Sequence, residues 1–351
     1  METMRRAFSL LLLAALLAAI APQALPSQAP GPGSKTAPVL AWASDDHLLI
    51  NNNGLLARFD LNSTKEELLD DTVIAFALHS GGKLMAVASP DEVSLRSYPG
   101  FEWLAALPLH EHGAPEASGA DTVQALAWSP GGETLAGGTA SGHVLLWEVD
   151  TAQPEAAELW ADLEVAPAAA VTQLSFSAQT GVGLHADGTR LLAVFEDARA
   201  VLWDLEQREE LQRFSPAQPI EGEAPTEASS MLLSPDGRRL LHTWVRGEES
   251  EMSLLDAGGK ILWRRAGLGV QFTPDGAAVL ALAPPYRIAA LYRAENAAAL
   301  RVFEPPEGVE RLLAVRLNPA GTRLAGVTAS RLGRGLVVWD AATARVLKTR
   351  R

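Results

Sequence analysis

A short phrase recurs along this chain: an apolar run, a turn built on glycine, a second apolar run, and a third that closes on Trp-Asp or a variant of it. The clearest copy starts at Val123-Gln124-Ala125-Leu126-Ala127-Trp128, turns at Ser129-Pro130-Gly131-Gly132, continues from Leu135 to Gly138, and closes at Val144-Leu145-Leu146-Trp147-Glu148. Self-similarity at a period of roughly 20 to 50 residues belongs to stacked or radially arranged repeats. It therefore constrains the architecture before any single residue does.

Six turns align on Gly82, Gly132, Gly188, Gly237, Gly276 and Gly321, at intervals of 50, 56, 49, 39 and 45 residues. Proline presets the first corner of such a turn, while Asp-Gly or Gly-Gly accepts the positive φ that a tight hairpin demands. Ser234-Pro235-Asp236-Gly237 and Thr273-Pro274-Asp275-Gly276 carry both features. A seventh, degenerate copy runs from Val39-Leu40-Ala41-Trp42 through Asp45-Asp46 to His47-Leu48-Leu49-Ile50. The third run ends at Trp147-Glu148, Trp203-Asp204 and Trp339-Asp340, echoed by Phe59-Asp60 and Leu255-Asp256, and a fourth follows a polar turn, as from Asp256 to Trp263. Four short strands per unit, seven units and no helical spacing predict an all-β chain, a seven-bladed propeller of four-stranded antiparallel blades. Because Arg345 to Thr349 supplies a fourth strand to the last unit, blade 7 is expected to pack on blade 1 without exchanging a strand.

With these motifs in hand, the chain resembles the WD40-repeat β-propellers over about residues 39 to 350, with degenerate repeats. The Gly-His dipeptide usual before the first strand in that family is missing, and the Asp usual six positions ahead of the Trp survives as Asp197 before Trp203; Ser141 and Gly333 stand there before Trp147 and Trp339. The resemblance thus implies a weakened polar staple within the blades. The Ser-Pro-Asp-Gly phrase is shared with other bacterial propellers, TolB-like and YVTN-type repeats among them. What the resemblance implies for function is an interaction scaffold.

The N-terminus reads separately. Arg5-Arg6 precedes a 14-residue apolar run from Ala7 to Ile20, the length of a signal-peptide core and shorter than the roughly 17 to 25 residues that span a bilayer. Residues 1–21 are expected to be a signal peptide, with cleavage as late as residue 29. The protein would then be exported, periplasmic or extracellular, and membrane-anchored if the segment stays uncleaved. Residues 22–38, with five prolines among Gly, Ser and Gln, read as a tether, leaving 39–351 as the propeller. Cysteine is absent, which excludes disulfides and a lipidated N-terminal cysteine. The formal charge of −13 and the lack of a Lys/Arg run interleaved with aromatics argue against a nucleic-acid partner.

No residues assemble into a recognisable catalytic motif, cofactor loop or metal site. Gly138-Thr139-Ala140-Ser141-Gly142 lacks the spacing and the strand-turn-helix context of a nucleophile elbow. His110-Glu111-His112 could seat zinc with Glu116 or Asp121 as a third ligand, but it reads more simply as a solvated loop between units. The nine tryptophans follow the blade period and read as packing residues; Trp244, expected in an irregular loop, is the best exposed contact.

The insertions are more informative. In a propeller the fourth-to-first and second-to-third strand connections share one face, and the longer segments, 109–121, 163–170, 215–228, 244–251, 283–287 and 327–335, all fall there; 178–186 is the exception. Binding residues concentrate on loops carried by a rigid scaffold. The candidate binding face has an acidic sector of Glu221, Glu223, Glu227, Glu248, Glu249 and Glu251 beside Trp244, and a basic sector of Arg287, Arg331 and Arg334. The sequence therefore predicts a non-enzymatic scaffold of the cell envelope that binds a protein partner through this face, without cofactor or metal. The alternative is an exported propeller enzyme or small-ligand binder that uses the central channel.

Overall fold

The computed structural model describes residues 25–26, 38–109, 121–177, 190–214, 228–246, 249–331 and 333–350. The fold is all-β, a seven-bladed propeller of four-stranded antiparallel blades. Blade 1 comprises Val39–Trp42, His47–Asn52, Leu55–Asp60 and Glu66–Asp70. Blade 2 comprises Ala75–Leu78, Leu84–Ala88, Val93–Ser97 and Trp103–Ala106. Blade 3 is Val123–Trp128, Thr134–Thr139, His143–Glu148 and Glu158–Glu164; blade 4 is Val171–Phe176, Arg190–Phe195, Ala200–Asp204 and Glu209–Phe214. Blade 5 is Ala228–Leu233, Arg239–Arg246, Glu249–Asp256 and Ile261–Ala266; blade 6 is Leu268–Phe272, Ala278–Ala283, Ile288–Arg293 and Ala299–Phe303. Blade 7 ends the series with Arg311–Leu317, Arg323–Ser330, Gly333–Asp340 and Val346–Arg350. The strands fall into two compact units, blades 1, 5, 6 and 7 in one and blades 2, 3 and 4 in the other.

The expected signal peptide lies outside the described residues. Of the Pro-rich stretch, Leu25–Pro26 forms a two-residue strand antiparallel to the first strand of blade 3, Leu25 opposite Leu126 and Pro26 opposite Ala125.

The recurrent turn has a common chemistry. Gly82, Gly132, Gly237, Gly276 and Gly321 all have φ between +64° and +82°, and each donates its N–H to the carbonyl three residues earlier. The residue at that earlier position is Ser129, Ser234, Thr273 or Asn318 in four turns, and its side-chain oxygen accepts the N–H of the residue that opens the second strand, at 2.9 to 3.0 Å. The Asp of the Trp-Asp phrase, or of its variant, serves the turn from the third to the fourth strand: Asp60, Asp204 and Asp340 each accept a backbone N–H two or three residues on, at 2.7 to 3.1 Å. Its partner residue packs the blade. Trp147 and Trp339 are fully buried, and their indole N–H groups bond Pro108 O and Glu304 O.

A second indole contact links neighbouring blades. Trp128 Nε1 of blade 3 donates to Ala77 O of blade 2 at 3.0 Å, and Trp42 Nε1 of blade 1 donates to Arg316 O of blade 7 at 2.9 Å. Both tryptophans end a first strand, and both carbonyls belong to the penultimate residue of the preceding blade's first strand. Blade 7 thus packs on blade 1 by the same device that joins blades 2 and 3. Around it, Asn318 Nδ2 donates to Asp45 Oδ1 at 3.0 Å and Lys348 Nζ to Leu61 O at 2.5 Å. Each blade holds its own four strands, as expected without strand exchange.

Blade 5 also contains a partly buried titratable group. Burial pushes the His242 imidazole down from 6.5 to about 4, so the folded state keeps it neutral where the unfolded chain takes up a proton. Stability should therefore fall as pH drops from about 6.5 to about 4, by about 2–3 kcal/mol from this residue. His79, whose pKa burial also lowers, acts in the same direction, so the comparison must be made with a variant. His242→Gln is expected to reduce the loss between pH 7 and pH 4.5 in urea titrations; an unchanged pH dependence would refute the assignment. Asp275, held low by the Thr273 hydroxyl and the Ala277 N–H, contributes stability that is lost only below the unfolded value of 3.8.

Candidate binding face

The alternating direction of the strands puts the second-to-third hairpins and fourth-to-first connections at one end of each blade. In blade 4 this end is stapled by Arg199, which donates to Ala166 O at 3.2 Å and Pro167 O at 2.5 Å, while Arg213 donates to Ala166 O at 2.8 Å. Asp197 pairs with Arg199 at 2.5 Å, so the acid singled out in sequence anchors an arginine that holds the incoming segment. In blade 3, Asp121 accepts the Ser141 N–H at 3.1 Å and also meets the Ser141 hydroxyl. Blade 4 thus keeps the Asp197 the resemblance pointed to, whereas blade 3, with Ser141 at that position, is held by Asp121 instead. Asp121 was also a candidate zinc ligand; His110, His112 and Glu116 lie outside the described residues.

Two expected loops prove to be strand. The second and third strands of blade 5 pair in register from Arg239 opposite Asp256 to Arg246 opposite Glu249, so residues 244–251 extend the hairpin. Trp244 stands in that ladder, opposite Ser229 and Glu251, and is partly buried. It does not lie in an irregular loop. Blade 7 does the same, pairing to Ser330 opposite Gly333, so little of 327–335 is loop. Backbone pairing, which does not depend on apolar side chains, extends these hairpins through polar residues.

Of the acidic sector, Glu221, Glu223, Glu227 and Glu248 lie outside the described residues. Glu249 is exposed at the hairpin end, and Glu251 faces Arg264 at 3.7 Å. The basic sector is better defined. The turn of blade 6, residues 284–287, is fixed by buried Tyr286, whose hydroxyl lies 2.7 Å from Ser250 Oγ of blade 5, and it presents Arg287 outward. Burial raises the Tyr286 pKa.

Two clefts open beside these arginines. One, of about 500 Å3, lies between blades 6 and 7; Arg287, Val309, Glu310, Arg331, Leu336 and Val337 are among its walls. The other, of about 540 Å3, lies between blades 7 and 1 and includes Asn52, Leu55, Phe59, Leu68, Arg334 and Leu336. Both are bordered by Gly335, Leu336 and Arg350. Arg331 pairs with Glu310 at 3.3 Å, and Arg350 pairs with Glu66 at 3.0 Å and lies over the Phe59 ring. Arg334 donates to Asn52 Oδ1, and burial lowers its pKa. The structure thus groups Arg287, Arg331 and Arg334 around blade 7, whereas Glu249 and Glu251 border neither cleft. Sequence reading missed Arg350, Leu55 and Leu68, whose strands carry no signal of exposure at the repeat level.

A third cleft, of about 620 Å3, lies at the other end of blades 2 and 3, among His79, Glu133, Glu148, Asp150 and Glu158. Its histidine is already engaged, accepting the Gly81 N–H at 2.9 Å and packing edge-on against Trp128. Among the described residues no group of three or more His, Cys, Asp or Glu side chains could hold a metal ion, and no helix is long and apolar enough to cross a membrane.

Residues 109–148 match the family described as WD domain, G-beta repeat. A search of curated proteins returns no match. Among solved structures, one described as the Dos1 propeller is 13% identical with a TM-score of 0.57, covering 87% of this chain and 80% of that one. The Myceliophteria thermophila Cps50 (Swd1) β-propeller domain is 16% identical with the same TM-score, covering 79% of this chain and 86% of that one. At these identities the likeness establishes the propeller fold.

Proposed function

We propose that this chain is a non-enzymatic interaction scaffold that binds a protein partner through the blade ends carrying the fourth-to-first and second-to-third connections. One observation carries the reading: at that end of blades 6, 7 and 1, arginines and exposed apolar side chains border two clefts on a rigid sheet framework. A cleft set between stiff blades offers shape and charge at little conformational cost, which is what a recognition surface needs. We further propose export, on the strength of the Arg5-Arg6 start and the 14-residue apolar run. N-terminal sequencing of the protein from envelope or medium should find the residues before about 30 missing, and a mature cytoplasmic chain retaining Met1 would sink that part.

The acidic hairpin of blade 5 supplies the test of the face. Rim charges act mainly on the association rate. With a partner isolated from envelope extracts, the triple variant Glu248→Lys, Glu249→Lys and Glu251→Lys is expected to slow association by about threefold or more in surface plasmon resonance. Reversing Glu133, Glu206 and Glu295, at the opposite ends of their blades, should leave the rate within error. Equal effects from both sets, or none from either, would dismiss this face as the binding surface.

A further inference from the structure

The two clefts beside blade 7 share Gly335, Leu336 and Arg350 as a common border and together make one candidate groove. Its floor is apolar: Leu336 and Val337 are buried, and Leu55 and Leu68 remain 46% and 60% exposed. Its rim is cationic in a chain where acids outnumber Lys and Arg by 42 to 29. Arg331 and Arg350 have carboxylate partners in Glu310 and Glu66. Among the described residues no carboxylate pairs with Arg287, whose reach is to Val309 O at 3.5 Å, or with Arg334, which meets the neutral amide of Asn52. A guanidinium offers a planar fork of donors matched to a carboxylate, and a partly desolvated one gains most from such a partner. An uncompensated arginine on each side of an apolar floor calls for a ligand with acids on each side of an apolar group.

We propose that this groove binds an extended acidic peptide segment, seating an apolar side chain on Leu55 and Leu68 and pairing flanking carboxylates with Arg334 and Arg287. The proposal rests on the protein-binding reading above and adds the chemistry of the partner. A free anion would use the arginines and leave the floor unused. The two-part shape and the apolar floor both favour a chain.

Fluorescence anisotropy on the full-length protein tests it, with fluorescein-labelled Glu-Asp-Leu-Glu-Asp-Leu-Glu-Asp as probe. Saturable binding is expected, about tenfold weaker for a probe with Ser in place of Leu and for one with Lys in place of the acids. Arg334→Gln and Arg287→Gln should each weaken the acidic probe about five- to tenfold, and Leu68→Ser by about threefold. Arg345→Gln, exposed at the opposite end of blade 7, should leave it unchanged, with melting curves confirming that each variant is folded. No saturable binding, an equal loss in Arg345→Gln, or displacement by a deoxythymidine oligonucleotide as effective as by unlabelled peptide would each overturn the proposal. If the probe fails while an isolated protein partner still responds to the blade 5 charge reversals, the groove inference falls and the face reading stands.

Discussion

Trp147→Ala is expected to lower the unfolding free energy by about 3–5 kcal/mol, the range for emptying a large buried aromatic site. The side chain is fully buried, and its indole N–H bonds Pro108 O at 2.6 Å. The second strand of blade 3 is shaped around it: a Cβ added at Gly137 would fall 2.6 Å from the indole ring. Gly137→Val should therefore also destabilise, by about 1–3 kcal/mol, through overpacking against the same ring. Trp103→Ala serves as the control, since Trp103 is 55% exposed on a fourth strand, and should change stability by less than about 0.5 kcal/mol. Urea unfolding followed by far-UV circular dichroism measures all three. Similar losses for Trp147→Ala and Trp103→Ala would show that the tryptophan closing the third strand is not the packing centre of its blade.

Deleting residues 344–351 is expected to lower the melting temperature by about 10 °C. The loss removes the fourth strand of blade 7 and uncovers the hydrogen-bonding edge of Gly333–Asp340, an aggregation-prone arrangement. It also removes Lys348 from Leu61 O and Arg350 from Glu66 and the Phe59 ring. The exposed ion pair contributes little by itself, so the double variant Lys348→Met and Arg350→Gln should cost no more than about 1–2 kcal/mol. The contrast between strand and side chains is the measurement that matters. An unchanged melting temperature after deletion would mean that another segment completes this blade.

These residues also mark how far the sequence could be read. The number of blades was legible because each repeat needs a positive-φ turn and a large residue to fill its sheet, and Gly132 with Trp147 or Gly321 with Trp339 reveal both. The hairpin lengths of blades 5 and 7 were not. Their outer ends run through Arg246, Glu249 and Glu251, or through Thr328, Ser330 and Gly335, and backbone ladders hold these residues without help from hydrophobicity. The staple of blade 4 was half legible: Asp197 stood out, but its partner Arg199 did not, since the carbonyls it serves lie more than thirty residues earlier. The groove was read as charge alone. Arg287, Arg331 and Arg334 announced a basic sector, whereas the apolar floor depends on which strand edges adjoin across 282 residues of chain between Asn52 and Arg334, a relation with no local signature.

The contiguity of each blade has a consequence for how such a chain can change by inheritance. Apart from the two-residue strand Leu25–Pro26 on the edge of blade 3, no sheet among the described residues borrows a strand from a distant part of the sequence; the four strands of blade 7 lie within residues 311–350, and those of blade 6 within 268–303. A gene duplication or excision cut at the connections between blades would therefore copy or remove a whole sheet together with its three turns and its buried aromatic. The same event cut within a blade would leave two partial sheets with unpaired backbone. Recombination is thus tolerated at the segments between Phe303 and Arg311 or Ala266 and Leu268, and penalised elsewhere, which makes the connections at the groove end the places where new binding chemistry can be spliced in without rewriting the scaffold.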